Sequence, residues 1–112
     1  MTRGRDISAY LRHLRIESRA SAHTLAAYQR DLDDFCARIE AQGVAAWSDL
    51  TEAHVKACVA QRHRAGLSPR SLHRYLSAIR GLLRFLEAEG KVVLNVATHV
   101  QAPKARRKLP AT

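Results

Sequence analysis

A chain of 112 residues can hold one domain with a modest core, and two would not fit comfortably. Hydrophobic residues make up 46% but aromatic ones only 5%, so aliphatic side chains must fill that core, and with three prolines and five glycines a low-complexity chain is excluded. The net charge is +9, no apolar run is long enough to cross a bilayer, and no leader peptide is expected, because Arg3, Arg5 and Asp6 precede an amphipathic stretch rather than an apolar one.

In chain order, residues 1–5 read as a loose basic start. From about Asp6, a plausible N-cap, to Arg19, residues Ile7, Tyr10, Leu11 and Leu14 recur at helical spacing. Ser21 caps a second predicted helix with Leu25, Tyr28, Leu32, Phe35, Cys36 and Ile39 inward, closing at Gly43. A loop, VAAWSD, follows, with Trp47 expected to plug the space between hairpins. Thr51 caps a third helix that turns Val55, Cys58 and Val59 inward and closes at Gly66. Ser68 caps a fourth, with Pro69 at its first position, a stripe of Leu72, Tyr75, Leu76, Ile79, Leu82, Leu83 and Leu86, and Gly90 at its end. Asn95 is expected to cap a brief fifth helix through Val100, and residues 101–112 read as an extended basic linker. KVVL at 91–94 is too isolated to build a sheet, so the fold class is all-α. The two cysteines, Cys36 and Cys58, fall in apolar patterns without a C-x-x-C and read as buried reduced thiols, which fits a cytoplasmic protein.

A shift of 47 lays the second helix on the fourth. Ser21 meets Ser68, Thr24 meets Ser71, Leu25 meets Leu72, Tyr28 meets Tyr75, and Gly43 meets Gly90. Both carry S-x-x-[S/T]-L-x-x-Y, and each follows a shorter helix. Two helical hairpins packed across each other, with these two helices as equivalent partners, are the simplest architecture.

The charge is uneven. No acid lies between Glu52 and Glu87, while Lys56, Arg62, Arg64, Arg70, Arg74, Arg80 and Arg84 do. Any one exposed arginine on an amphipathic helix is ordinary. A one-sided excess marks a polyanion partner, either nucleic acid, which is favoured, or an acidic membrane. On the fourth helix Arg70 and Arg74 share a face one turn apart, Ser77 continues it, and Ser71 and His73 flank it. The matching face of the second helix holds His23, Ala26, Ala27 and Arg30, with Thr24 near its start. Arginine donates two hydrogen bonds in a plane, to phosphate or to guanine O6/N7, and a helix start carries partial positive charge. Two such starts side by side suit a DNA major groove. Arg80 and Arg84 read as solvent or backbone contacts.

Signals for catalysis are weak. The six histidines lack metal-binding spacing, and G-x-S-x-G and a phosphate loop are both missing. Asp31, Asp33 and Asp34 read as a solvated or partner-pairing face rather than a metal site. Tyr10, Tyr28 and Tyr75 sit in core stripes and read as packing. No catalytic residue, metal or cofactor is expected.

Three stretches, RASAHTLAAYQRDLDDF, GLSPRSLHRYLSAIRGLLRFLEAEG and APKARRKLP, resemble the N-terminal core-binding domain of tyrosine site-specific recombinases, most nearly those of the bacterial Xer group. The likeness runs from about Asp6 to Pro110; one departure is Asn95-Val96, where that family usually has Asn-Pro. The resemblance implies two crossed hairpins, often called SAM-like, forming half of a clamp around DNA. It assigns DNA contact to His23, Thr24, Ala27 and Arg30 on the second helix and to Arg70, Ser71 and Arg74 on the fourth. Ala27 would touch DNA through its methyl, and Arg106, Arg107 and Lys108 would track the backbone. Implied partners are a double-stranded recombination half-site, a sister recombinase and a division-coupled DNA translocase, in chromosome dimer resolution. The family's phosphotyrosine chemistry belongs to a C-terminal domain that these residues lack, so the chain is expected to be a fragment that binds DNA and cuts nothing. The competing readings are a helical protein-interaction module and a small complete enzyme.

Overall fold

Three of the four helices begin where the sequence supplies a hydroxyl cap. In a computed structural model, which describes residues 2–103, four helices follow one another: α1 (Thr2–Glu17), α2 (Ala22–Ala41), α3 (Glu52–Arg64) and α4 (Pro69–Ala88), with a single 3-10 turn at Trp47–Asp49. The described residues contain no strand. Ser21 Oγ accepts the Thr24 amide at 3.1 Å, and Ser68 Oγ accepts the Ser71 amide at 3.2 Å. Thr51 Oγ1 accepts the His54 amide at 3.3 Å while His54 Nδ1 accepts the Thr51 amide at 3.0 Å, a capping box with imidazole in place of the usual carboxylate or amide.

The shift of 47 holds in three dimensions. Both α2 and α4 are 20 residues long, and their serine caps have nearly the same backbone angles. They also end alike. Gly43 (φ 86°) and Gly90 (φ 76°) take the left-handed conformation that lets the Val44 amide reach Ile39 O at 3.0 Å and the Lys91 amide reach Leu86 O at 2.9 Å. The correspondence extends before each cap: Gly66 (φ 95°) precedes the Ser68 cap by two residues, and Arg19 (φ 50°) stands at the same place before Ser21.

Helices α2 and α4 pack on each other at the centre. Helix α1 lies against both, and so does α3. The result is two hairpins, α1–α2 and α3–α4, joined through their long members. Leu32, Phe35 and Ile39 meet Leu72, Tyr75, Leu76, Ile79, Leu82, Leu83 and Leu86 in the core, with Val55, Cys58 and Val59 closing one side and Ile7 and Tyr10 the other. Gly81 gives Tyr10 room: a Cβ there would lie 2.0 Å from the Tyr10 hydroxyl oxygen.

Two expectations change. Residues 2–5 are helical, not a loose start, and Asp6 is no N-cap but lies inside α1, 5% exposed. Its carboxylate accepts the Trp47 indole N–H at 2.7 Å and pairs with Lys91, while Arg3 donates to Val44 O at 3.0 Å and lies over the Trp47 ring. Trp47 thus ties the first turns of α1 to the loop between hairpins, and that anchorage extends the helix toward its N-terminus. The fifth helix is absent: Asn95 Oδ1 accepts the Ala97 amide, and isolated turns carry the chain to Val100. Arg80 holds this segment by donating to Ala97 O and Val100 O, and Val92, Ala97 and Val100 are buried beneath it. The linker residues Arg106, Arg107 and Lys108 lie outside the described residues.

Candidate nucleic-acid interface

The leucine stripe of α4 turns its opposite face outward at the start of the helix. Arg70, Ser71, His73, Arg74 and Ser77 line one open cleft there, together with Tyr28 of α2. The cleft therefore spans the two long helices. Arg70 and His73 are exposed, and Arg70 makes no ion pair or side-chain hydrogen bond among the described residues. His23, Thr24 and Arg30 are exposed on α2.

Hydroxyls organise both helix starts in the same way. Ser21 Oγ lies 3.0 Å from Thr24 Oγ1, and Ser68 Oγ lies 3.0 Å from Ser71 Oγ. The serines are committed to capping and donate to Thr24 Oγ1 and Ser71 Oγ, which leaves the protons of those two hydroxyls without an acceptor among the described residues.

Arg74 differs from the expectation of a simple surface cation. Its Nε and Nη2 donate to Asp31 Oδ2 and Oδ1 at 2.8 and 3.1 Å, a two-point pair across α2 and α4. The Asp31 side chain is 2% exposed and that of Arg74 38%. Hydrogen bonding to Asp31 raises the Arg74 pKa further. Ala27 also departs from expectation. It is 8% exposed, so its methyl packs into the protein rather than toward solution.

The acidic cluster is largely internal. Asp34 accepts from Arg38 Nε at 2.8 Å and from Tyr75 Oη at 3.0 Å, with Arg62 Nε at 3.6 Å. Burial, then the nearby Cys58 and Asp34, drives the Tyr75 hydroxyl pKa well up. Asp33 alone is exposed, accepting from Gln29. The cluster is thus not the solvated or partner-pairing face expected of it, because two of its three carboxylates hold helices together. The sequence reading missed these partners. The only signal for them was the position of the acids on the helix that repeats α4.

No three histidine, cysteine or acidic residues gather to hold a metal among the described residues, and none of the described helices is long and apolar enough to cross a membrane.

A family model described as the phage integrase N-terminal SAM-like domain matches residues 7–90. The chain is 43% identical over 105 residues to tyrosine recombinase XerC of Stutzerimonas stutzeri (strain A1501), covering 94% of this chain and 35% of that protein. It is 44% identical over 106 residues to tyrosine recombinase XerC of Pseudomonas putida (strain F1), covering 95% and 36%. Tyrosine recombinase XerC of Pseudomonas aeruginosa (strain LESB58) is 45% identical over 107 residues, covering 96% and 35%. The chain thus spans about a third of the length of these curated relatives. No solved structure matches it.

Proposed function

The chain belongs to the family of phage integrase N-terminal SAM-like domains, and we propose that it binds double-stranded DNA as the N-terminal half-clamp of a XerC-type tyrosine recombinase. The observation that carries this reading is the cleft at the start of α4, where Arg70 and Arg74 stand beside Tyr28 of the equivalent helix α2. Two helix starts capped alike, with exposed cations and small side chains, suit the charge and acceptor groups of a major groove. Arg70, Ser71 and Arg74 on α4 and His23, Thr24 and Arg30 on α2 are the contacts proposed; Ala27, buried on α2, is not among them. The strand exchange of such an enzyme would be performed by a separate catalytic domain. In this reading the cellular task is site-specific recombination that resolves chromosome dimers, with a sister recombinase and a DNA translocase as partners, in the cytoplasm.

A gel shift tests it. The Arg70→Ala, Arg74→Ala double variant should bind a half-site duplex at least tenfold more weakly, at roughly 1–3 kcal/mol per base-reading arginine, and with a shallower salt dependence. Unchanged affinity and salt slope would remove the groove from this face. One observation favours a second reading as a protein-interaction module: Val93 is 99% exposed and Leu94 66%. Elution from heparin at the salt typical of a neutral helical protein would support that module instead.

A further inference from the structure

We propose that Asp31 is a positioning residue that locks Arg74 to read a guanine, leaving Arg70 as the mobile phosphate contact. The inference rests on the DNA-binding reading above and assigns different work to its two arginines. A guanidinium has two edges that can each donate a pair of parallel hydrogen bonds. Asp31 takes the Nε–Nη2 edge of Arg74 at 2.8 and 3.1 Å. On the outer edge, Nη1 and the second Nη2 proton have no acceptor among the described residues, and Arg74 lines the cleft. That outer edge fits two acceptors in a plane, and guanine O6 and N7 form such a pair in the major groove. Arg70, without a partner among the described residues, keeps the rotamer freedom that suits a phosphate.

The internal repeat carries no such ion pair at the equivalent positions. Under the shift of 47, Arg74 corresponds to Ala27 and Asp31 to Ala78, and both alanines are buried. The positions that carry a buried carboxylate and an arginine in one half of the repeat thus carry buried alanines in the other. The carboxylate also cancels one cation in a basic cleft, which weakens general attraction to DNA. Holding an arginine in one orientation gains sequence reading at that cost.

The test is selection from a randomised duplex pool by the 112-residue chain, followed by affinity measurements on the selected duplex and on one with the preferred guanine replaced. Asp31→Asn keeps the shape and adds a net positive charge. Its guanine preference should fall about tenfold, while its binding to unrelated duplex tightens, so the two readouts move in opposite directions. A merely structural loss would weaken both. Arg74→Lys keeps the charge without the fork and should lose the same preference, and it decides the matter if Asp31→Asn does not fold. A folded Asp31→Asn, or Arg74→Lys in its place, that keeps the guanine preference overturns the proposal. If the wild-type chain binds no duplex, the DNA-binding reading fails and this assignment goes with it; if it binds duplex but enriches no sequence, the guanine assignment alone is overturned; if it enriches sequences that Arg70→Ala still binds as tightly, only the role given to Arg70 is lost.

Discussion

Gly81 sits in the middle of α4, where helix propensity alone would prefer alanine by about 1 kcal/mol. The Tyr10 hydroxyl occupies the space that a Cβ would take, 2.0 Å away, and Tyr10 is itself only 4% exposed. Overpacking of this kind costs about 1–3 kcal/mol. Gly81→Ala should therefore lower the melting temperature despite its better propensity, and adding Tyr10→Phe should recover part of the loss. Other buried or half-buried residues tie stability to pH. Burial pushes the Cys36 and Cys58 thiols up to about 11 and the Tyr10 hydroxyl up to about 12. A raised pKa means that the folded state holds its proton more tightly than the unfolded chain, so the contribution is complete below the unfolded values of 9.0 and 10.0 and is lost as pH rises through the folded ones. The melting temperature should hold to about pH 9 and then fall toward pH 11, and a flat profile across that window would contradict the buried, neutral state of these groups.

The helix starts offer a direct test at the scale of the element. Ser21 and Ser68 make the same cap on two helices of equal length, so Ser21→Ala and Ser68→Ala should each cost about 1 kcal/mol and by similar amounts. Thermal or denaturant melts measure both; a loss confined to one would show that the repeat is not matched in energy. These caps, the glycine stops and the apolar stripes were legible because each is decided by residues within a turn or two. The start of α1 was not. Asp6 has the chemistry of an N-cap, yet its carboxylate turns to Trp47 and Lys91, which lie 41 and 85 residues away in sequence. Arg3 stacks on the same indole, and no local pattern announces that contact. The stretch after Asn95 failed for a similar reason. Its side chain caps a turn, but Arg80 draws the following carbonyls toward α4 before a helix forms.

At the scale of the whole molecule, the pairing of α2 with α4 sets the fold and the interface together. The internal repeat made that pairing readable from the sequence, and the basic face of α4 was readable from its lack of acids. The partners of that face were not, because Asp31 reaches Arg74 across 43 residues and Asp34 reaches Tyr75 across 41. A window that contains no acid can still meet acids from another helix. Among the described residues Arg70 is unpaired and Arg74 is fixed by Asp31, a distinction that sequence spacing could not make. The most direct test is a titration of the amide NMR spectrum of the 112-residue chain with a half-site duplex. The account predicts that shifts concentrate at 21–30 in α2 and 68–77 in α4, and that α3 and residues 91–96 stay in place. Shifts centred on Val93 and Leu94, or a spectrum unmoved by DNA, would contradict it.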